Sequence, residues 1–518
     1  MTMKRISPIL LVIILLAAGM TGSLQSPTRR ITRQVLEDKI RGGWAGQMIG
    51  VSYGAPTEFN YLGKIIEREI PWSPERVENS LHQDDLYVDM TLAEVLDRAG
   101  LDATTEQYGE AFKETKYPLW HANASARRNL NRGLKAPLSG HPRYNVHAND
   151  IDFQIEADFI GLMTPGLPQI ANDFADRVGH VMNYGDGVYG GMFVSGMYAA
   201  AFFETDPHRI VELGLACLPA KSGYAQTIGD LLALHRQYPN DWKEAWRRIN
   251  EKWDRDDPCT EGAMHPFNID ARLNGAYVAL GLLYGDGDFG RTIEISTRAG
   301  QDSDCNPASA AGVLGVVLGY DKIPNQWKGG IPAIAEKKFD FTNLNFNEIA
   351  QATLKRALQL VEKAGGKVSG DEIVIPVQRP KAARLEQWSP GIPEKILTVN
   401  DPAWQWQGNW QSEEGQGRRL AAKNADGAGS EVNLTFTGKS VVLIGRLFQT
   451  GGRADVWLDG KKADPIDAWI PERTNDDDLW RMYDLKPGKH ALKIVTRDDA
   501  DPRSKGKRVQ IQGAIVYR

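Results

Sequence analysis

The chain has 518 residues, 25% of them charged, and a formal net charge of −5. That length exceeds one ordinary hydrophobic core, so two or more domains are expected. There is no long basic run, which argues against binding a nucleic-acid backbone. The three cysteines, Cys217, Cys259 and Cys305, show neither a CxxC nor a zinc spacing, so no disulfide framework is expected.

The chain opens with Lys4-Arg5, an apolar stretch from Ile6 to Ala18 and small residues from Gly19 to Ser23. This is the pattern of a signal peptide over residues 1–23, and it predicts a secreted or periplasmic protein. An uncleaved anchor is the alternative, but the stretch is short for a membrane span. No later segment is long and apolar enough to span a bilayer.

From about Arg33 to Leu360 the apolar spacing is mostly helical. Gly42 to Gly54 is rich in small residues. Leu86, Met90, Ala93 and Leu96 recur at helical spacing, and Gly100 ends the run. Gly190 to Phe203 and Ala308 to Leu318 are apolar on nearly every side, as helices buried within a larger assembly are. Strand alternation is weak here, so residues 33–363 are predicted to be an all-α domain. Glycines and prolines crowd residues 364–390, a predicted linker. Beyond it, short alternating runs separated by turns such as Asp459-Gly460 and Pro487-Gly488 predict an all-β sandwich of jelly-roll type over 391–518.

Two acidic clusters stand at the two ends of the helical region, Gln83-Asp84-Asp85 and Asp302-Ser303-Asp304-Cys305, each leading into an apolar helix. One reading makes them helix caps that complement the dipole. The other makes them ligands. Doubled acids at two buried helix starts need partners, and two divalent cations would offset four carboxylates. Oxygen-only donors favour Mg2+, Mn2+ or Ca2+ over zinc. Asp89 lies one turn below Asp85, and Asn306 follows Cys305; each could supply a further oxygen. Asn149, Asp152, Gln154, Glu156 and Asp158 form a polar set that reads either as a solvated strand or loop or as a cleft lining. Asp186, in a glycine turn before a buried helix, reads either as a cap or as a site wall.

Taken together, these residues resemble the ADP-ribosylglycohydrolase family, whose relatives include the dinitrogenase reductase-activating glycohydrolases. The resemblance runs over residues 35 to 360. It rests on GGWAGQMIGVSYGAPTE ending at Glu58, on Gln83-Asp84-Asp85, and on Gln301-Asp302-Ser303-Asp304-Cys305 followed by ASAAGVLGVVLGYDKIP. It implies an all-helical hydrolase with one or two Mg2+ ions (Mn2+ as a substitute). Asp84, Asp85, Asp302 and Asp304 would be ligands, with Gln83 and Cys305 standing where the family has threonines. Glu58 would be the acid that works on water or at the glycosidic carbon. Apart from the resemblance, the spacing and local context of Asp89, Asn149, Asp152, Asp186 and Asn306 make them the candidates for lining the substrate. A Gln carbonyl still suits a hard cation; a Cys sulfur does not.

The β-rich segment carries Trp404, Trp406, Trp410, Trp457, Trp469 and Trp480. It resembles galactose-binding-like modules of secreted carbohydrate enzymes, with sugar stacking or core packing as the two uses of its tryptophans. Three functions stand at this point. The first is an exported, cation-dependent hydrolase of a furanosyl N- or O-glycosidic bond in a small-molecule or glycan substrate. The second is an ADP-ribosyl-protein hydrolase, and the third a non-catalytic carbohydrate-binding protein.

Overall fold

A computed structural model of the chain describes residues 27–254, 259–416, 419–471 and 475–518. The expected leader, 1–23, lies outside the described residues. No described helix is long and apolar enough to cross a membrane.

The helical domain is organised around one antiparallel helix pair, Arg33–Gly54 and Cys305–Leu318. Glycine recurs every fourth residue on the first helix, at Gly42, Gly46, Gly50 and Gly54. A Cβ at these positions would stand 2.2, 2.1, 2.3 and 2.0 Å from the carbonyl oxygens of Gly315, Ala311, Pro307 and Ser303. The two backbones therefore touch along four turns, closer than any side chain allows. The register has a functional consequence: the C-terminal end of the first helix meets the N-terminal end of the second, placing Glu58 beside Asp302 and Asp304. The helix Asp186–Ala201 buries every residue after Asp186, as its all-round apolar sequence predicts.

Strands are nonetheless present in the helical domain. Lys367–Ser369 and Glu372–Pro376 form a hairpin that pairs with Thr28–Thr32. Part of the expected linker is thus a sheet. The rest is a strap held to the helical domain: Tyr189 donates its hydroxyl to the Arg384 carbonyl at 2.7 Å, and Glu386 Oε2 lies 3.1 Å from His180 Nε2.

The C-terminal domain is two six-stranded antiparallel sheets face to face. One sheet is buried on both sides. On Ser440–Leu447, Val441 and Leu443 face the sandwich interior. Their neighbours Val442 and Ile444 pack, with Ile515 and Tyr517, against Val146 and Ala263 of the helical domain. Buried ions reinforce that contact. Arg128 pairs with Asp477 and, at 3.3 Å, with Asp478; Arg132 donates to the Asp467 carbonyl at 2.8 Å. Five of the six tryptophans are tied into the sandwich, Trp457 being half-buried. Trp404, Trp469 and Trp480 are buried, and the indole N–H groups of Trp404, Trp406, Trp410 and Trp480 donate to backbone carbonyls.

Candidate active site

Glu58 follows the helix Arg33–Gly54 by one short turn, and its neighbours staple it to the Asp302 segment. The Thr57 and Ser303 hydroxyls lie 2.8 Å apart, the Phe59 N–H donates to the Gln301 carbonyl at 3.1 Å, and Gln301 N–H donates to the Tyr61 carbonyl. Phe59 (φ 48°) and Gln301 (φ 54°) both hold left-handed backbone. Strain of this kind costs on the order of 1 kcal/mol or more and persists where the surroundings over-determine it. Two more strained residues, His121 and Met264, also line the cleft described next.

The cleft has a volume of about 920 Å³. Glu58, Asp84, Asp302 and Cys305 line it, so the two acidic clusters do converge. Asp85, Asp302 and Asp304 are at most 2% exposed. Donor atoms of Asp302, Asp304 and Cys305 lie within 4.8 Å of one another. Cys305 Sγ is 3.4 Å from Asp85 Oδ2.

Electrostatics sharpen the picture. Burial pushes the carboxyls of Asp84, Asp85, Asp302 and Asp304 upward, to about 6 for Asp84. The charges of the other carboxylates push those of Asp84, Asp85 and Asp302 further. Glu58 opens to the cleft but is walled by protein on most sides. Partial burial, then Asp304 and Asp84, raise it to about 8. The Cys305 thiol is pushed well up by burial and the same acids, so it is a neutral donor to Asp85. Two like charges 4 Å apart repel by about 4 kcal/mol at an effective dielectric near 20, and here four acids crowd together.

The donor set fits hard divalent cations. Asp85 Oδ1 and Asp302 Oδ1 are buried with no hydrogen-bond partner, which an oxygen-seeking cation would satisfy. Gln83 and Asp304, at the two helix starts, make no side-chain capping bond, while Asp84 and Asp85 lie in the first turn of their helix, where they complement its dipole as well as facing the other acids.

The other expected site residues divide. Asp152 lines the cleft and accepts from the Ala122 and Asn123 N–H groups, at 3.2 and 2.9 Å. It thereby holds the start of the helix His121–Asn131. Asp89 is fully buried behind Asp85 and accepts from Gln47 at 3.1 Å. Asn306 is buried and donates to Asn274 at 2.9 Å. Asn149 is buried where the chain meets residues 270–271, its carbonyl accepting from Ala271. Neither Asn306 nor Asn149 is part of the cleft lining. Asp186 accepts from the Tyr224 N–H at 2.9 Å and faces Arg272, outside the cleft lining. It ties two helices together because a buried acid at a helix start takes the nearest free N–H. The Asp152–Asp158 set is neither strand nor solvated loop. It forms two short buried helices, Asp152–Ile155 and Asp158–Leu162. Asp158 accepts from the Tyr198 hydroxyl at 2.5 Å.

Sequence reasoning missed Trp120, His121, Asn123, Met264 and Phe267, all on the cleft. Trp120 and Met264 are conspicuous by exposure, 54% and 60%. Phe267 stacks on His121 at 5.6 Å and packs against Phe59, tilted, at 5.0 Å. No local pattern marks these residues.

The family model for ADP-ribosylglycohydrolase matches residues 32–364, the span that carries Glu58 and both acidic clusters. The chain belongs to the ADP-ribosylglycohydrolase family. Membership makes it a glycohydrolase-type hydrolase, of a family typically dependent on divalent metal. A solved ADP-ribosylglycohydrolase-related protein complex aligns over 62% of this chain and 98% of its own at 17% identity, with a TM-score of 0.39. A family two carbohydrate esterase from Cellvibrio japonicus aligns over 24% of this chain and 32% of its own (14% identity, TM-score 0.19). A family 35 carbohydrate-binding module from an environmental isolate aligns over 23% and 90% (14% identity, TM-score 0.17). Overlaps this loose say nothing of what either segment does. No curated protein matches significantly.

Proposed function

We propose that the chain is an exported, divalent-cation-dependent glycosidase that cleaves a furanosyl N- or O-glycosidic bond. The observation that carries this reading is the meeting of Glu58 with four crowded, mutually repelling aspartates, Asp84 and Asp302 on the cleft lining and Asp85 and Asp304 against Cys305 beside it, two of the four with unpartnered oxygens. Asp84, Asp85, Asp302 and Asp304 would hold one or two Mg2+ ions, with Mn2+ as a substitute. Such ions supply charge neutralisation and a template for a sugar diol and water. Burial is the larger cause of the raised Glu58 value and the aspartate charges the smaller; cations that offset those charges would remove the repulsive part and so favour Glu58 as a proton-accepting carboxylate. From the cleft mouth it takes a proton from the attacking water as positive charge develops at the anomeric carbon. Cys305, at the position of the family's threonine, serves as a neutral donor to Asp85 rather than as a ligand. The basic, apolar and small-residue start of the chain supports export.

The test is a product screen of the full chain against aryl furanosides, nucleosides and ADP-ribosyl peptides, with Glu58→Gln beside it. Release of sugar from a furanoside or nucleoside, lowered about 10²- to 10⁴-fold by Glu58→Gln, is expected. Undiminished turnover in that variant would refute the role of Glu58. Turnover confined to ADP-ribosyl peptides would replace the substrate class.

A further inference from the structure

The two domains contribute unequally to the cleft lining, and the helical domain supplies most of its apolar residues as well. Every carboxylate on it comes from the helical domain, whereas the β-sandwich contributes Ile396 and Leu420, both apolar. The apolar lining is continuous with the catalytic end. Phe59, next to Glu58, packs against Phe267 with ring centroids 5.0 Å apart. From Phe267 the chain leads back through Met264 to Ala263, both on the cleft. Ala263 then packs into the cluster of Val442, Ile444, Ile515 and Ile396. The strand Pro393–Thr398 sets Ile396 directly opposite Ile515 on the buried sheet, so its side chain is held by the sheet's register. Buried Arg128–Asp477 and Arg128–Asp478 pairs anchor the same sheet to the helix whose other end carries His121 and Asn123. A domain docked through buried ions and a both-sided sheet is a fixed wall rather than a swinging lid.

We infer that the β-sandwich is the aglycone wall of the active-site cleft, with Ile396 and Leu420 selecting a leaving group that presents an apolar ring face. This inference rests on the glycosidase reading and adds the far half of the substrate to it. A sugar ring bound among carboxylates leaves its aglycone to the opposite, apolar part of the cleft. Water-excluded contact with Ile396, Leu420 and Met264 rewards a flat C–H or aromatic face and gives nothing to a small polar group. An aryl group and the C–H face of a second sugar share that chemistry.

The experiment measures binding by calorimetry to the full chain carrying Glu58→Gln, which separates affinity from turnover. The probes are 4-nitrophenyl furanosides, the matching methyl furanosides and furanose-containing disaccharides. The 4-nitrophenyl forms are expected to bind at least tenfold tighter than the methyl forms. Ile396→Thr, similar in size and β-branched but polar, should erase roughly tenfold of that preference while leaving methyl furanosides unchanged; Ile396→Val should keep it. Leu420→Gln supplies a second variant outside any strand should Ile396→Thr lower expression. Disaccharides that follow the aryl pattern identify a sugar as the natural leaving group, and disaccharides that follow the methyl pattern identify an aryl one. Equal affinity for aryl and methyl forms, an equal loss of both in the variants, or no binding of any probe overturns the inference. Retained, Ile396-dependent binding without turnover by the wild-type chain sinks the glycosidase reading alone.

Discussion

Replacing Gly50 with alanine adds one methyl group where the two helix backbones touch, about 10 Å of chain away from the chemistry by helical rise. The new Cβ would stand 2.3 Å from the Pro307 carbonyl oxygen, 2.5 Å from its carbon and 2.6 Å from the Ala308 nitrogen. All three are backbone atoms, so no flexible side chain can yield. The contact falls about 1 Å short of ordinary van der Waals separation, and the helices Arg33–Gly54 and Cys305–Leu318 must part by a comparable amount. Overpacking of this kind costs about 1–3 kcal/mol. The larger effect is on geometry, because the first helix carries Glu58 and the second begins at Asp304 and Cys305. A displacement near 1 Å between catalytic groups costs about 10²-fold in rate. The assay is calorimetric melting together with kcat on the furanoside found active. Gly229→Ala is the control: a Cβ there meets nothing within 4 Å, and within a helix it should stabilise by about 0.5–1 kcal/mol. Gly50→Ala with an unchanged melting temperature and rate would falsify the claim that backbone contact sets the site.

Three further outcomes are expected. Mg2+ or Mn2+ at 100-fold over its dissociation constant should stabilise the chain by about 2.7 kcal/mol, and Asp302→Asn should abolish most of the gain; identical melting curves in chelator and metal would refute cation binding. Arg128→Met takes one partner from two buried acids, leaving Asp477 with His147 and Asp478 with Arg481, so it should cost less than the roughly 3–5 kcal/mol of a wholly unpaired buried charge while splitting the melting transition between domains; a single unshifted transition would show that the apolar contact alone docks them. The strap should be held best in mildly acidic solution. Although burial opposes both charges, the hydrogen bond between them raises His180 and lowers Glu386. The His180 contribution is full below its ordinary 6.5 and is lost as pH rises through its raised value. The Glu386 contribution is present above its ordinary 4.5 and is lost as pH falls through its lowered value. Limited proteolysis within 379–389 should therefore be slowest between about pH 4.5 and 6.5, and a rate independent of pH, or identical in His180→Gln, would count against the latch.

Much of this molecule is local information. Helical spacing, all-round apolar runs and the change to short alternating segments are properties of neighbouring residues, and they suffice for a helical domain followed by a β-sandwich. The acidic doublets before apolar helices are local too, which is why Asp84, Asp85, Asp302 and Asp304 could be singled out. One tertiary signal was also present. Val441-Val442-Leu443-Ile444 and Ala514-Ile515-Val516-Tyr517 are unbroken apolar runs, which fit a strand buried on both faces, and the sandwich does bury that sheet against the helical domain.

The sequence by itself determined which residues are chemically able to act, because residue type and local spacing are written along the chain. Tertiary structure decided which of them meet. Residues 58 and 302 are joined by a helix pair whose glycines let two backbones touch, residue 84 arrives on a third helix, Asp84–Ala99, and no local rule reports the distance between helices so far apart in sequence. The same holds for Asp186, drawn to the Tyr224 N–H instead of the cleft, and for Ile396, an unremarkable strand residue until docking placed it on the cleft wall. A side chain's partners are set by packing, and packing depends on the whole chain at once.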